Sequence, residues 1–190
     1  MKKTLSVFFA LLFALSAVIG ASAIGLVNES TLKSNVASYM GYDESKLQDF
    51  NYNKTTQNML DYYTVTFKYS GVSYTIGVNA LGVYDNYSYN AKKVIVPAAA
   101  KDICITELEA KGYALKEADT SSSDAIFKTE KFAVKNGTPV YSYDFLSKTA
   151  EWNIDVNGLT GSIINSSHAD KNPIAMIFIR LFAKILAIFG

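Results

Sequence analysis

From Tyr63 to Val78 the chain alternates apolar and polar positions. Tyr63, Val65, Phe67 and Tyr69 are followed, past Ser70-Gly71, by Val72, Tyr74, Ile76 and Val78. This period of two predicts a pair of antiparallel strands with one face buried and the other wet. The pattern returns 78 residues later, placing Tyr63 on Tyr141, Phe67 on Phe145, Tyr74 on Trp152, Asn79 on Asn157 and Leu81 on Leu159. Ahead of the second copy, Phe132 and Val134 lead into Asn136-Gly137, a strong two-residue hairpin signal because both residues tolerate positive φ.

Each copy opens with a helix pattern. In the first, Asn28 or Ser30 caps a segment carrying Leu32, Val36, Tyr39 and Met40 on one face, and Gly41 ends it. In the second, Pro97 opens a segment with Ile103, Leu108 and Tyr113 as face residues, Cys104 inside it and Gly112 near its end. Met40-Gly41-Tyr42 matches Lys111-Gly112-Tyr113 at an offset of 71 residues, and the polar stretch 119–124 accounts for the difference. The expected fold class is therefore α+β: a tandem repeat of a helix packed on an antiparallel three- to four-stranded sheet, over residues 27–90 and 97–166. Asn165 to Asp170, which includes the single His168, reads as a polar loop.

Both chain ends depart from this plan. Lys2 and Lys3 precede an apolar run from Leu5 to Ile19 that closes on Ala21-Ser22-Ala23, the pattern of a signal peptide over residues 1–23. The run is shorter than the ~20 residues a membrane span needs. At the other end, Pro173 starts sixteen residues, Ile174 to Phe189, broken only by Arg180 and Lys184. Those two cations, four apart, form a narrow stripe on an otherwise apolar helix of roughly 24 Å, too short to cross ~30 Å of hydrocarbon. An interfacial helix over 173–190 is expected, with Phe178, Phe182 and Phe189 in the lipid and Arg180 and Lys184 at the headgroups; a final helix docked on the domain or on a partner subunit is the competing account.

Composition narrows the chemistry. With 18 basic and 17 acidic residues in 190, the chain has no basic field for nucleic acid. One Cys and one His leave no disulfide framework, no Cys-rich zinc site and no His-based hydrolytic machinery. No phosphate loop, nucleophile elbow or zinc-protease motif occurs. The expectation is a non-enzyme without cofactor or metal; a hydrolase using dispersed carboxylates has no motif to support it.

The stretch from Trp152 to Ile163 resembles the closing strand and turn of a PepSY domain. That family's pattern is an alternating strand, then Asp-Ala-x-Thr-Gly, then a short aliphatic strand. Asn157 stands here for the Asp and Gly158 for the Ala, while Thr160-Gly161 match. Asn79-Ala80-Leu81-Gly82 in the first copy matches without the Thr. The resemblance implies an exported module, secreted or in the cell envelope, that binds a protein and restrains a peptidase.

Two surfaces are candidates for that partner. Tyr84, Tyr87 and Tyr89 follow the last core strand of the first copy, and exposed Tyr favours recognition; packing of an edge strand is the competing account. Ser142, Asp144, Glu151, Asn153 and Asp155 lie on the wet face of the second copy and could meet a basic partner. The alternative function is an envelope structural protein held at a membrane by its C-terminal helix.

Overall fold

The computed structural model describes residues 28–189, with side chains omitted at Pro173 and from 183 onward. The expected signal peptide, residues 1–23, lies outside the described residues. So do the side chains of Lys184 and Phe189.

Helix α1 (Glu29–Met40) begins where Asn28 Oδ1 accepts from Thr31 N–H at 2.8 Å, satisfying one of the free amides of the first turn. It ends at Gly41, whose φ of 72° lets the chain reverse while the Gly41 and Tyr42 amides bond back to Ser38 and Ala37. A 3-10 turn, Glu44–Lys46, leads into strands β1 (Gln48–Gln57), β2 (Leu60–Tyr69), β3 (Val72–Asn79) and β4 (Tyr84–Tyr89). After a short helix α2 (Ala98–Lys101) come α3 (Glu107–Glu117), β5 (Ile126–Lys135), β6 (Thr138–Leu146), β7 (Ala150–Asn157), β8 (Ile163–Asp170) and a final helix α4 (Pro173–Phe189).

The eight strands form one antiparallel sheet in the order β1 to β8. This overturns the expected fold class of two helix-on-sheet repeats with separate sheets. β4 does not end a sheet: it pairs with β5 at Tyr87 and Val134. An alternating pattern states which face of a strand is buried. It carries no information on whether the outer N–H and C=O groups meet water or another strand.

By its internal contacts the chain divides into two compact units. Among the described residues, one holds 28–91 with 96–103 and 133–138; the other holds 92–95, 104–132 and 139–189. In the first, Val36, Tyr39 and Met40 of α1 share a core with Val65, Phe67, Tyr74 and Ile76 of β2 and β3. In the second, Ala110 and Ala114 of α3 and Tyr143, Phe145, Ile154 and Val156 of β6 and β7 are all buried. The Tyr141 and Tyr143 hydroxyls donate to the carbonyls of Ile105 and Glu107 at 2.9 and 3.1 Å.

The 78-residue offset persists in the pairing register. Phe67 faces Tyr74 as Phe145 faces Trp152, Val65 faces Ile76 as Tyr143 faces Ile154, and Tyr63 faces Val78 as Tyr141 faces Val156. The turn after each pair is built the same way. Asn79 Oδ1 accepts from Leu81 N–H at 3.0 Å, and Asn157 Oδ1 accepts from Leu159 N–H at 2.8 Å. The segment from Asn157 to Thr160 is thus an Asx turn that follows strand β7.

Three other expectations change. The segment after Pro97 is broken, because Thr106 and Glu109 form a reciprocal capping box that starts α3 afresh. Cys104 therefore precedes α3, and Leu108 and Tyr113 are exposed on it (80% and 44%) while small Ala110 and Ala114 face inward. Residues 165–170 belong to strand β8, with Trp152 stacked on His168 at 4.5 Å between ring centroids.

Candidate functional site

Helix α4 carries a row of exposed apolar side chains in the second unit. Asn172 starts it, accepting at its side chain from Ile174 N–H at 2.9 Å and at its carbonyl from Met176 N–H at 2.9 Å. Its inward side is defined by Met176, which is 1% exposed, and by Arg180 one turn later. The Arg180 guanidinium donates to the backbone carbonyl of Asp124, in the polar stretch 119–124. Lys148 reaches the Asp124 carboxylate at 2.9 Å and, with Ser121, holds that carboxyl below its usual range.

Its outward side is apolar. Ile174, Ile177, Phe178, Leu181 and Phe182 are 54–68% exposed. Their spacing of 0, 3, 4, 7 and 8 places them on one stripe of an α-helix. Such a stripe normally faces a core; here it faces away from one. Among the described residues no helix is long and apolar enough to cross a membrane.

Phe178 and Phe182, expected in lipid, are exposed side chains of this stripe. Arg180 is placed differently. The reading assigned it to lipid headgroups, but a carbonyl within reach and a buried Met176 one turn before it turn that side of the helix toward the protein.

The two partner surfaces read from the sequence fare differently. Tyr84, Tyr87 and Tyr89 are inside, exposed by 1%, 1% and 9%. Tyr84 stacks on Tyr39 at 3.8 Å between centroids and donates to the Asn35 carbonyl at 3.1 Å. Burial pushes the Tyr84 and Tyr87 hydroxyls above the usual tyrosine range, so they remain neutral. These residues are core and offer a partner no surface. Tyr84 and Tyr87 are three apart, which in a regular strand would send them to opposite faces. An irregularity between β3 and β4 at Gly77/Val78 leaves Asp85 as an extra residue and brings both rings to one side.

Asp144, Glu151 and Asp155 do share the wet face of β6 and β7, partly exposed. The charge of Glu151 is met within the unit. Lys128 and Lys171 both reach Glu151, and Lys128 first among them holds its carboxyl below the usual range. Asp155 accepts from the Ser142 hydroxyl.

Burial pushes the Cys104 thiol up to about 12, so it is protonated at neutral pH and unsuited to nucleophilic work. Among the described residues no cluster of His, Cys, Asp and Glu could hold a metal ion. The feature sequence reasoning missed is the orientation of α4. The 0, 3, 4, 7, 8 spacing of its large apolar residues was the available signal, obscured by the near-continuous hydrophobicity of the segment.

Comparison with known proteins adds little. No family model matches the chain, and no curated protein matches it. Among solved structures, a candidate lipoprotein from Clostridium difficile 630 aligns over 78% of this chain and 97% of its own at 12% identity, with a TM-score of 0.30. A likeness at that level bears on neither fold nor function.

Proposed function

We propose that this protein is an exported, non-catalytic binding module held at a membrane surface by α4, the reading with the most direct physical support. The observation that carries it is the outward apolar stripe, Ile174, Ile177, Phe178, Leu181 and Phe182. Moving such side chains from water into the headgroup–acyl boundary yields about 1–2 kcal/mol each before ordering costs, enough for reversible attachment. The stripe contains no polar side chain that would orient a protein partner, and a lipid surface demands none. Export rests on the basic, apolar and small-residue order of residues 1–23. A cell-envelope or other extracytoplasmic location follows from the same segment. The PepSY resemblance supports a binding role, but the peptidase-restraining part of it gains no surface from the buried tyrosines or from the lysine-paired Glu151.

Arg180 is engaged by Asp124, so attachment depends on apolar burial more than on anionic lipid. Co-sedimentation of the mature chain with phosphatidylcholine vesicles, with and without added phosphatidylglycerol, tests this. The mature chain sediments with both; a variant with Ile177, Phe178 and Phe182 changed to Ser stays in the supernatant. Equal partitioning of the two proteins overturns the reading. Self-association of the mature chain on gel filtration, lost in the same variant, would replace it with an oligomerising helix.

A further inference from the structure

A second site lies in the first unit and is independent of the membrane reading. On the wet side of β2, β3 and β4 an open cleft of about 410 Å³ is lined by Gln57, Tyr62, Thr64, Gly77, Asp85 and Asn86. That volume falls within the range of small-molecule sites. The bulge that turns Tyr84 and Tyr87 into the core creates it. With Asp85 as the extra residue, the neighbouring side chains of Asp85 and Asn86 come to the same side instead of alternating, and both lie over Gly77. A Cβ at Gly77 would stand 2.5 Å from Asp85 Oδ1 and 3.0 Å from Asn86 Cβ, so only glycine admits this arrangement without displacing either side chain.

The chemistry of the lining selects a ligand. Among the described residues the Asp85 carboxylate has no ion pair and no hydrogen-bond partner, and the same holds for the side chains of Gln57, Tyr62 and Asn86. By contrast Asp43, Asp49, Asp61, Asp124, Glu130 and Glu151 each pair with a lysine. The cleft therefore gathers one carboxylate that only accepts, two carboxamides that each accept and donate, and two hydroxyls that do both. A guanidinium or ammonium group only donates, and would leave the carboxamide N–H groups and hydroxyl protons without acceptors. A row of vicinal hydroxyls donates and accepts at every position. We propose that this cleft binds a neutral carbohydrate, with Asp85 accepting from two adjacent sugar hydroxyls, Gln57 and Asn86 pairing with their neighbours, and Tyr62 flanking the ring.

The test is titration of the isotopically labelled mature chain with cellobiose, maltose and N,N′-diacetylchitobiose, followed at the backbone amides of Gly77 and Asn86. At least one disaccharide should move both amides saturably in the millimolar range. Replacing Asp85 by Ala should then weaken its binding about tenfold or more, since hydrogen bonds to a charged acceptor are the stronger kind. Asn86→Ala provides a second variant should Asp85→Ala disturb the bulge. N-acetylargininamide serves as the cationic probe and should not compete. The proposal is overturned if none of the three disaccharides moves these amides at about 20 mM. It is equally overturned if both variants bind as the parent does, or if N-acetylargininamide binds in preference. Vesicle binding through α4 is unaffected by any of these results.

Discussion

A methyl group on Gly77 would stand 2.5 Å from Asp85 Oδ1, so the carboxylate occupies the space that any other residue would need for its Cβ. This contact ties the wet side of the first unit to its core. The same bulge that lays Asp85 over Gly77 turns Tyr84 and Tyr87 inward together. Replacing Gly77 by Ala should therefore destabilise the first unit by about 1–3 kcal/mol, the range for forced overpacking. In urea unfolding, adding Asp85→Ala to that variant should cost less than the sum of the two single changes, because the clash has been removed. Additive effects would show that the two residues do not share this space.

Met59 gives a prediction of opposite sign. It closes the β1–β2 hairpin with a φ of 64°, after Asn58 at 49°, and its side chain is wholly exposed. A left-handed conformation costs a residue with a Cβ roughly 1–2 kcal/mol. The equivalent position of the β2–β3 turn holds Gly71 at 78°. Met59→Gly should thus raise stability by about 0.5–1 kcal/mol after the loss of unfolded-state restriction, whereas Gly71→Ala should lower it by about 1 kcal/mol. Thermal melts of the two variants check both signs.

Glu151 supplies the pH dependence. Lys128 and Lys171 hold its carboxyl below the ordinary value of 4.5, so the folded state binds its proton less readily than the unfolded chain. The resulting stabilisation is fully present above the unfolded value and is lost as pH falls through the folded one. At pH 7 Glu151→Gln should be less stable than the parent, by under about 1 kcal/mol because the group is partly solvated. The difference should shrink as pH falls through the folded-state value and vanish once Glu151 is protonated in the folded parent, where both proteins are neutral at this position. Melting temperatures measured from pH 7 down to that point read it directly.

Arg180 and Phe178, two residues apart on α4, should separate cleanly. Arg180→Ala removes a charge-assisted hydrogen bond to the Asp124 carbonyl and should destabilise the second unit by about 1–2 kcal/mol. Its vesicle binding should persist. Phe178→Ser, at a position 60% exposed, should leave the melting temperature within a degree or two and reduce vesicle binding. The opposite assignment of effects would mean that the helix presents its other side.

Local chemistry alone determined several features. Asn28 and Gly41 bound α1 because a capping side chain and a left-handed glycine act within one turn of chain. The strands through Tyr63–Tyr69 and Tyr141–Phe145 were legible because one face of each is buried, and burial leaves a period of two. The 78-residue offset survived into the pairing register for the same reason. Strands β1 and β8 were not legible: Gln48–Gln57 and Ile163–Asp170 are exposed nearly throughout, and a strand that buries neither face writes no alternation. Joining of β4 to β5 uses backbone groups that every residue possesses, so no side-chain pattern announces it. The exposed stripe of α4 and the cleft over Gly77 are of the same kind. Arg180 turned inward because a carbonyl 56 residues away in sequence lies within its reach, and Gly77 became the floor of a cleft because a bulge placed Asp85 upon it. Contacts between separate elements decided both, and periodicity records only the burial of a segment's own face.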